Sequence, residues 1–244
     1  MLTERENIIA QLRQDILRMQ GQRPATDRLA GKLPLGSVLD AFPHSVFPTG
    51  AIHEYISATP AAMAATTGFI TGILSGLMRN SGPCIWISPD PVLFPPGFSA
   101  FDVKPDRILF VQARKERDIC WAMETCLQMD GLSAVVGELP GLGFTASRRL
   151  QLAVEKSGVT GFVLRPKPRN PHHTACVSRW QVKPMTSYYP DDFPGVGVPC
   201  WQVELLKIRG GRPGAWRLAW MNGSFQPLPD THAVTASSIL RKIG

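Results

Sequence analysis

The sequence lacks the features of an exported, membrane-spanning or disulfide-stabilised protein. No apolar run approaches the ~20 residues that a membrane helix needs, because Gly, Pro or Thr interrupts the longest ones. The first residues, MLTERENIIAQLRQ, carry charges where a signal peptide has an unbroken apolar stretch. The five cysteines form no C-x-x-C pair, and a chain of 244 residues buries a full core without disulfides. We therefore expect a cytoplasmic protein with reduced thiols.

Positive charge is concentrated in the last part of the chain. The sequence has 26 basic and 19 acidic side chains, a formal net charge of +7. Residues 1–150 contain 14 of each sign, whereas residues 151–244 contain 12 basic and 5 acidic ones. Phosphate contacts use such an excess, but a solvated surface has the same composition. Charge alone leaves nucleic acid, an acidic protein partner and simple solubility open.

Periodicity divides the chain into an N-terminal helix with a linker (1–46), a domain (47–230) and a C-terminal tail (231–244). Within 4–20 apolar residues recur at helical spacing, which predicts an amphipathic helix that either packs on the domain or binds a partner. The stretch 21–48 is rich in Gly, Pro and small polar residues, a composition typical of a linker.

Short apolar strands alternate with helices from residue 47 onward, which predicts a mainly parallel sheet with helices on both faces. The predicted strands are 51–57, 84–88, 107–112, 133–139 and 161–165, and the predicted helices are 60–79, 116–129 and 145–157. Thr145 is expected to cap the third helix and Gly158 to end it.

After residue 166 the alternation with helices stops. Strands are predicted at 175–182, 201–208 and 215–220, separated by Gly/Pro turns, and the last two form a hairpin. We expect these strands to extend one edge of the sheet as antiparallel additions. Four tryptophans on them are assigned to the core rather than to stacking on bases: Trp180, Trp201, Trp216 and Trp220.

The segment 51–79 has the strand–turn–helix order of a phosphate-binding loop without its residues. Such a loop needs glycines to fold backbone N–H groups around phosphates, a Lys for the terminal phosphates and a Ser/Thr for Mg²⁺. Here the turn reads Ser57-Ala-Thr-Pro-Ala-Ala-Met-Ala-Ala-Thr-Thr, with no Gly and no Lys, and Pro60 removes one backbone donor. Nucleotide hydrolysis is therefore not expected.

The residues before this turn resemble the entry to the RecA core. Phe47-Pro-Thr-Gly-Ala-Ile-His-Glu-Tyr-Ile is similar to the Pro-x-Gly-x-x-x-Glu segment that leads into the nucleotide loop there. In that register Ala62 stands at the second loop glycine, Met63 at the lysine and Ala64 at the hydroxyl ligand. The strand that should end in a metal-binding Asp ends in Gly137-Glu138. A carboxylate without the lysine leaves the charge of a triphosphate unmatched.

A closer resemblance is to ImuA-type proteins, a degenerate RecA-like branch of the bacterial mutagenic-repair cassette that is related also to SulA-type division inhibitors. Seven segments carry it in order: 47–54, 93–98, 121–127, 133–139, 147–155, 175–180 and 203–220. The resemblance implies a RecA-like α/β fold and a non-catalytic, cofactor-free accessory protein of SOS-induced error-prone translesion synthesis. It would act in the cytoplasm, at the nucleoid during the damage response.

The implied partners are an ImuB-type inactive polymerase and a DnaE-type error-prone polymerase, with RecA and single-stranded DNA as further contacts and no membrane. Loops after the fourth and fifth strands of a RecA-like sheet point toward DNA. The candidate DNA or partner contacts are Arg148, Arg149, Arg165, Lys167, Arg169, Lys207, Arg209 and Arg212. The alternatives are ion pairs of Arg148 and Arg149 with Glu138 or Glu155, a solvated loop at 165–173 and a plain hairpin tip at 209–214.

Other chemistries have weaker support. His172, His173, Cys176 and Cys200 are metal-ligating residue types, but adjacent histidines on an extended loop point apart, so no metal site is assigned. Three other functions stay open. They are a weak ATPase that uses Thr66 or Thr67 with Glu138, a SulA-type inhibitor of a cell-division filament, and a RecA-like DNA-binding protein without polymerase partners.

Overall fold

The computed structural model describes residues 33–90, 93–168, 173–189 and 197–228, so the predicted helix at 4–20 and tail at 231–244 lie outside it. Within these residues, nine strands form one sheet in the order β3-β2-β4-β5-β1-β6-β7-β8-β9. The strands are β1 (Ile52–Ser57), β2 (Cys84–Ser88), β3 (Ile108–Gln112), β4 (Ala134–Glu138), β5 (Thr160–Pro166), β6 (Ser178–Tyr188), β7 (Val198–Ile208), β8 (Gly214–Met221) and β9 (Ser224–Pro227).

Three α-helices cover the sheet in the described residues: α1 (Pro60–Leu77), α2 (Glu116–Leu127) and α3 (Phe144–Ser157). α1 packs in an apolar core on one face, and α2 and α3 pack in a second core on the other. The central strands are buried on both sides, as strands between two helical layers must be. The predicted α/β architecture with a mainly parallel sheet is confirmed.

The second half of the sheet is antiparallel, as predicted, but begins one strand later. β6 runs parallel to β1, and only β7, β8 and β9 alternate in direction. β9 was not predicted at all. It follows Asn222 and Gly223, whose φ values of 52° and 70° fit the two-residue hairpin turn that an Asn-Gly pair favours.

Two local predictions about helix ends differ in outcome. Gly158 ends α3 with a φ of 75°, a backbone conformation that glycine adopts without strain. The prediction that Thr145 caps the same helix is wrong, because Gly143 occupies the cap position and makes no side-chain hydrogen bond there. Thr145 instead lies within the first turn, beyond the position from which a side chain caps the free N–H groups.

The described half of the segment assigned as a linker is packed rather than extended. Residues 33–47 form two short 3-10 helices, Gly36–Ala41 and Pro43–Ser45. Their apolar side chains, among them Leu35, Val38 and Phe47, are buried in the core around α1. Gly and Pro form tight turns between buried apolar residues in this segment. The prediction of a linker from composition alone is therefore wrong for the described residues.

α1 is a core helix of this sheet. By length and composition it could cross a membrane, but 67% of its apolar window is buried inside the protein. Gly72 allows the close packing, because a Cβ at that position would meet the ring of Phe225 at 2.5 Å. The apolar length of α1 is thus accounted for by burial against the antiparallel strands.

Candidate functional site at the carboxyl edge of the sheet

The turn between β1 and α1 occupies the position of a nucleotide loop, and its hydroxyls bond to each other. The Thr59 side chain caps α1 by accepting a hydrogen bond from the Ala62 N–H at 3.1 Å. Thr66 donates to the Ala62 carbonyl at 2.8 Å and therefore accepts from Ser57 Oγ at 3.0 Å. Thr66 is fully buried, so its hydroxyl faces no space that a metal–nucleotide complex could enter.

The side chains in the register of the nucleotide loop carry no charge. Met63, at the lysine position, is partly buried against the core around α1. Ala64, at the hydroxyl position, is exposed and has no oxygen to offer. Of the backbone N–H groups at the start of α1, Pro60 contributes none, that of Ala62 donates to the Thr59 hydroxyl and that of Met63 donates to the Thr59 carbonyl.

Glu138 stands at the end of β4, where the resemblance expects a metal-binding carboxylate. Burial, together with the negative charge of Asp90, raises the pKa of Glu138 to about 7. The side chain thus holds a proton over part of the neutral range. A pair of carboxyl groups without a balancing cation repels a nucleotide phosphate rather than attracting it.

Arg165 does not belong to the surface set in which the sequence placed it. It is buried at 2% exposure, its Nη1 forms an ion pair with Glu54, and its Nε and Nη2 donate to the Pro140 carbonyl at 3.2 and 3.1 Å. A guanidinium held in this way cannot reach a phosphate. The assignment of Arg165 as a DNA or partner contact is therefore corrected to a structural role.

Glu54 is the centre of this buried ion network. It is fully buried on β1, where it also accepts hydrogen bonds from Arg179 Nε at 2.9 Å and from Thr174 Oγ1 at 2.8 Å. The network connects β5, β1 and β6 with the segment that precedes β6. Sequence reasoning identified Glu54 only as part of a motif, and nothing in its spacing indicated two arginine partners.

The remaining basic candidates near the carboxyl edge are exposed where the structure describes them. Lys167 follows β5, with a φ of 45°, and its backbone N–H donates to the Ser57 carbonyl at 2.8 Å. Arg149 bonds to Glu124 on α2, with an Nε–Oε1 distance of 3.1 Å, and not to Glu138 or Glu155. Arg148 is exposed on α3, and Arg169 lies outside the described residues.

The hairpin candidates lie at the opposite edge of the sheet. Lys207 Nζ donates to the Thr174 carbonyl at 3.3 Å and Arg209 Nη2 to the Ala175 carbonyl at 3.2 Å. The exposed Arg212 donates its backbone N–H to Ala41, so the turn rests on the first 3-10 helix instead of projecting. The structure thus does not bring the seven candidates that it describes together into one surface.

The four tryptophans pack in the core, and the described His and Cys residues form no metal site. Trp180, Trp201 and Trp220 are buried in the core around α1, and Trp216 packs partly against it, as predicted. No group of three metal-ligating side chains is close enough to hold an ion within the described ranges, which exclude His172. Burial raises the pKa of the Cys176 thiol to about 12, which disfavours the thiolate that binds metal.

Comparison with known proteins agrees with the geometry. No family model matches the chain. Protein ImuA of Caulobacter vibrioides, from two strains, is 36% identical over 227 residues, covering 85% of this chain and 93% of that protein. The cell division inhibitor SulA of Photorhabdus laumondii is 31% identical over 102 residues, covering 40% of this chain and 58% of its own length. Because the match to Protein ImuA covers 85% of this chain and 93% of that protein at 36% identity, the chain belongs to the ImuA family.

Proposed function

We propose that this protein is a non-catalytic accessory component of SOS-induced, error-prone translesion DNA synthesis. The similarity to Protein ImuA along nearly all of that protein's length carries the proposal. In this role it assembles in the cytoplasm with an ImuB-type inactive polymerase and a DnaE-type polymerase. RecA and single-stranded DNA are further contacts.

The geometry of the carboxyl edge supports the absence of catalysis. The nucleotide-loop register presents a methionine and alanines, the nearby hydroxyls bond internally, and the one carboxyl at the metal position faces a second carboxyl. Phosphoryl transfer needs positive charge at the transferring group, and the side chains in the register of the nucleotide loop carry none.

Genetic complementation tests the role and separates it from catalysis. Deleting the gene should lower the frequency of damage-induced mutation, and expression of the intact chain should restore it. The Glu138→Gln variant should restore mutagenesis equally well, because no step requires a charged carboxylate at this position. Mutation frequency unchanged by the deletion would contradict the accessory role, and failure of Glu138→Gln together with ATP hydrolysis by the purified chain would support an ATPase.

DNA contact is tested by salt-dependent binding to single-stranded DNA. The double variant Lys167→Ala/Arg169→Ala should reduce the slope of log affinity against log salt by roughly 1 to 2, since each lost phosphate contact removes about 0.7. The matched control is Arg209→Ala/Arg212→Ala, two arginines of the opposite edge, which should leave the slope unchanged. Equal effects of the two pairs would argue for binding by overall charge.

A SulA-type function is the second candidate, because SulA of Photorhabdus laumondii aligns with 102 residues of this chain. In that case overproduction of the chain should block division and produce filamentous cells without DNA damage. Normal cell length under overproduction, combined with lost mutagenesis in the deletion strain, favours the translesion function.

A further inference from the structure

The antiparallel half of the sheet has a polar face on the side away from α1. Apolar side chains at alternate positions of β6, β7 and β8 pack into the core around α1, among them Trp180, Val203 and Leu218. Side chains at the intervening positions point to the other side of the sheet, because successive residues of a strand alternate between its faces. We define this side, the open face, by its seven polar residues, which are Arg179, Gln181, Lys183, Gln202, Glu204, Lys207 and Arg217.

Positive charge predominates on the open face. Lys183, Lys207 and Arg217 are exposed, and Glu204 is the one acidic residue of the three strands. Lys183 pairs with Glu204 at 3.3 Å, so this carboxylate offsets one cation and leaves the others. Lys207 lies directly opposite Arg179, and like charges in that arrangement repel each other across a pair of strands.

The buried ion network beside this face adds to the imbalance. Arg179 pairs with Glu54, and Glu54 also pairs with Arg165, so the network contains two guanidinium groups and one carboxylate. Lys207 Nζ lies close to it, because it donates to the carbonyl of Thr174, whose hydroxyl donates to Glu54. The described residues of the network and the open face thus comprise five cations and two carboxylates, an excess of three positive charges that attracts a polyanion.

We propose that the open face binds the phosphate backbone of duplex DNA. Proteins that bind single strands add aromatic rings on which bases stack, but the tryptophans of these three strands pack on the other face. Protein interfaces depend on clustered aromatic and apolar anchors, and Leu206 is the one large apolar side chain that the three strands expose. A duplex presents phosphates at high density and requires neither a stacking ring nor an apolar anchor.

The strand register places the cations in two separate rows. Lys183 lies opposite Gln202 on β7, and Gln202 lies opposite Arg217 on β8. Neighbouring strands are about 4.8 Å apart, so Lys183 and Arg217 start about 10 Å from each other. The row of Arg179 and Lys207 lies four residues along β6, which is about 13 Å away. Cations spread in this way contact several phosphates of a backbone without reading the bases.

The inference rests on the proposed function only in taking DNA as the polyanion. It adds the duplex as a ligand, and it assigns a surface that includes neither Lys167 nor the turn at Arg209 and Arg212. DNA synthesis on a damaged template involves both a single strand and a duplex, so two surfaces with different ligands are compatible with one role.

Salt-dependent binding to a labelled duplex, followed by fluorescence anisotropy, tests the open face in the full-length chain. The Lys183→Ala/Arg217→Ala variant should lower the slope of log affinity against log salt by about 2, because each lost phosphate contact removes about 0.9. The control Arg117→Ala/Lys156→Ala removes two exposed cations of α2 and α3 and should leave the slope unchanged. Circular dichroism melting establishes that both variants are folded.

Glu204→Gln provides a test of opposite sign. Removal of the acidic residue should tighten duplex binding about twofold or more at low salt, because the phosphates then meet no like charge on the face. The proposal is overturned if the native chain does not bind the duplex, if Glu204→Gln weakens binding, or if both double variants lower the slope equally.

Two further results separate this inference from its alternatives. If Lys183→Ala/Arg217→Ala loses an acidic protein partner while its duplex binding is unchanged, the face belongs to a protein and the proposal is wrong. If the native chain restores mutagenesis but binds no duplex, this inference fails and the proposed function stands.

Discussion

A glutamate at the centre of the sheet and a glutamate at its carboxyl edge have neighbours of opposite charge. At the centre, Glu54 is fully buried yet surrounded by Arg165, Arg179 and Thr174. At the edge, burial and then the negative charge of Asp90 raise the pKa of Glu138 to about 7. Glu138 therefore has a like charge as its neighbour, whereas Glu54 has two arginines and a hydroxyl as its hydrogen-bond partners.

The difference shows which part of the sheet contains the buried ion pairs. The central network connects three adjacent strands and the segment before β6, so it is part of what holds the architecture together. The edge, where a nucleotide loop needs cations, has a methionine in the lysine register and hydroxyls that bond to one another.

The largest expected effect comes from breaking the central network. Glu54→Gln leaves the buried Arg165 guanidinium without its counter-charge, which should lower the free energy of unfolding by about 3–5 kcal/mol. Chemical denaturation monitored by circular dichroism measures this loss. Glu204→Gln is the control, because its pair with Lys183, at 3.3 Å, is solvent-exposed and should contribute about 1 kcal/mol or less. Equal losses in the two variants would mean that the network contributes no more than a surface pair.

The next largest expected effect is the loss of stability on protonation of His53. This residue lies on the opposite face of β1 from Glu54. Burial lowers the pKa of His53 to about 4, although the hydrogen bond to the Pro48 carbonyl acts in the opposite direction. Nε2 donates to the Pro48 carbonyl at 2.8 Å, and Nδ1 accepts from Ser178 Oγ at 2.6 Å. Trp180 Nε1 donates to the same hydroxyl at 2.7 Å.

The sign of the pH dependence follows from that shift. The unfolded chain takes up the proton near pH 6.5 and the folded chain only near 4, so stability is lost as the pH falls between these values. The loss approaches about 3 kcal/mol when both states are protonated. His53→Phe should flatten this part of the stability–pH profile, whatever its effect at pH 8. A profile as steep as that of the native chain would show that His53 is not the group that titrates.

The fold followed from sequence periodicity because the apolar strands and helices are locally distinct. Cys84–Ser88 was predicted at its observed bounds, and α1 and α2 end within two residues of the predicted ends. The omission of β9 was avoidable, since Asn222-Gly223 is a strong hairpin signal. The wrong prediction of a linker at 33–46 was harder to avoid. Only the tertiary structure shows that Leu35 and Val38 have an apolar surface to pack against.

The sequence predicts which residue types the candidate site lacks, but it does not predict which groups the basic side chains of the site contact. The absence of Gly and Lys from 57–67 is visible in the sequence, and the structure places those residues at the end of β1 and the start of α1. Whether an arginine contacts solvent or a buried carboxylate depends on strands far apart in sequence. Arg165 and Glu54 are 111 residues apart, so no local pattern distinguishes Arg165 from the exposed Lys167.

The smallest expected effect is that of Glu138→Gln on stability. This substitution at the edge should stabilise the protein, whereas Glu54→Gln at the centre should destabilise it. The folded pKa of about 7 exceeds the ordinary 4.5, so the carboxyl group destabilises the folded chain increasingly as the pH rises through this interval. Glu138→Gln should therefore stabilise the protein at pH 8, by roughly 1 kcal/mol or less because the site is partly solvated, and the gain should vanish below about pH 4.5. Thermal unfolding at pH 4.5 and 8, with and without magnesium and ATP, measures it. If the edge bound a cation, the charged carboxylate would be stabilising instead, and Glu138→Gln would lower the melting temperature most when magnesium is present.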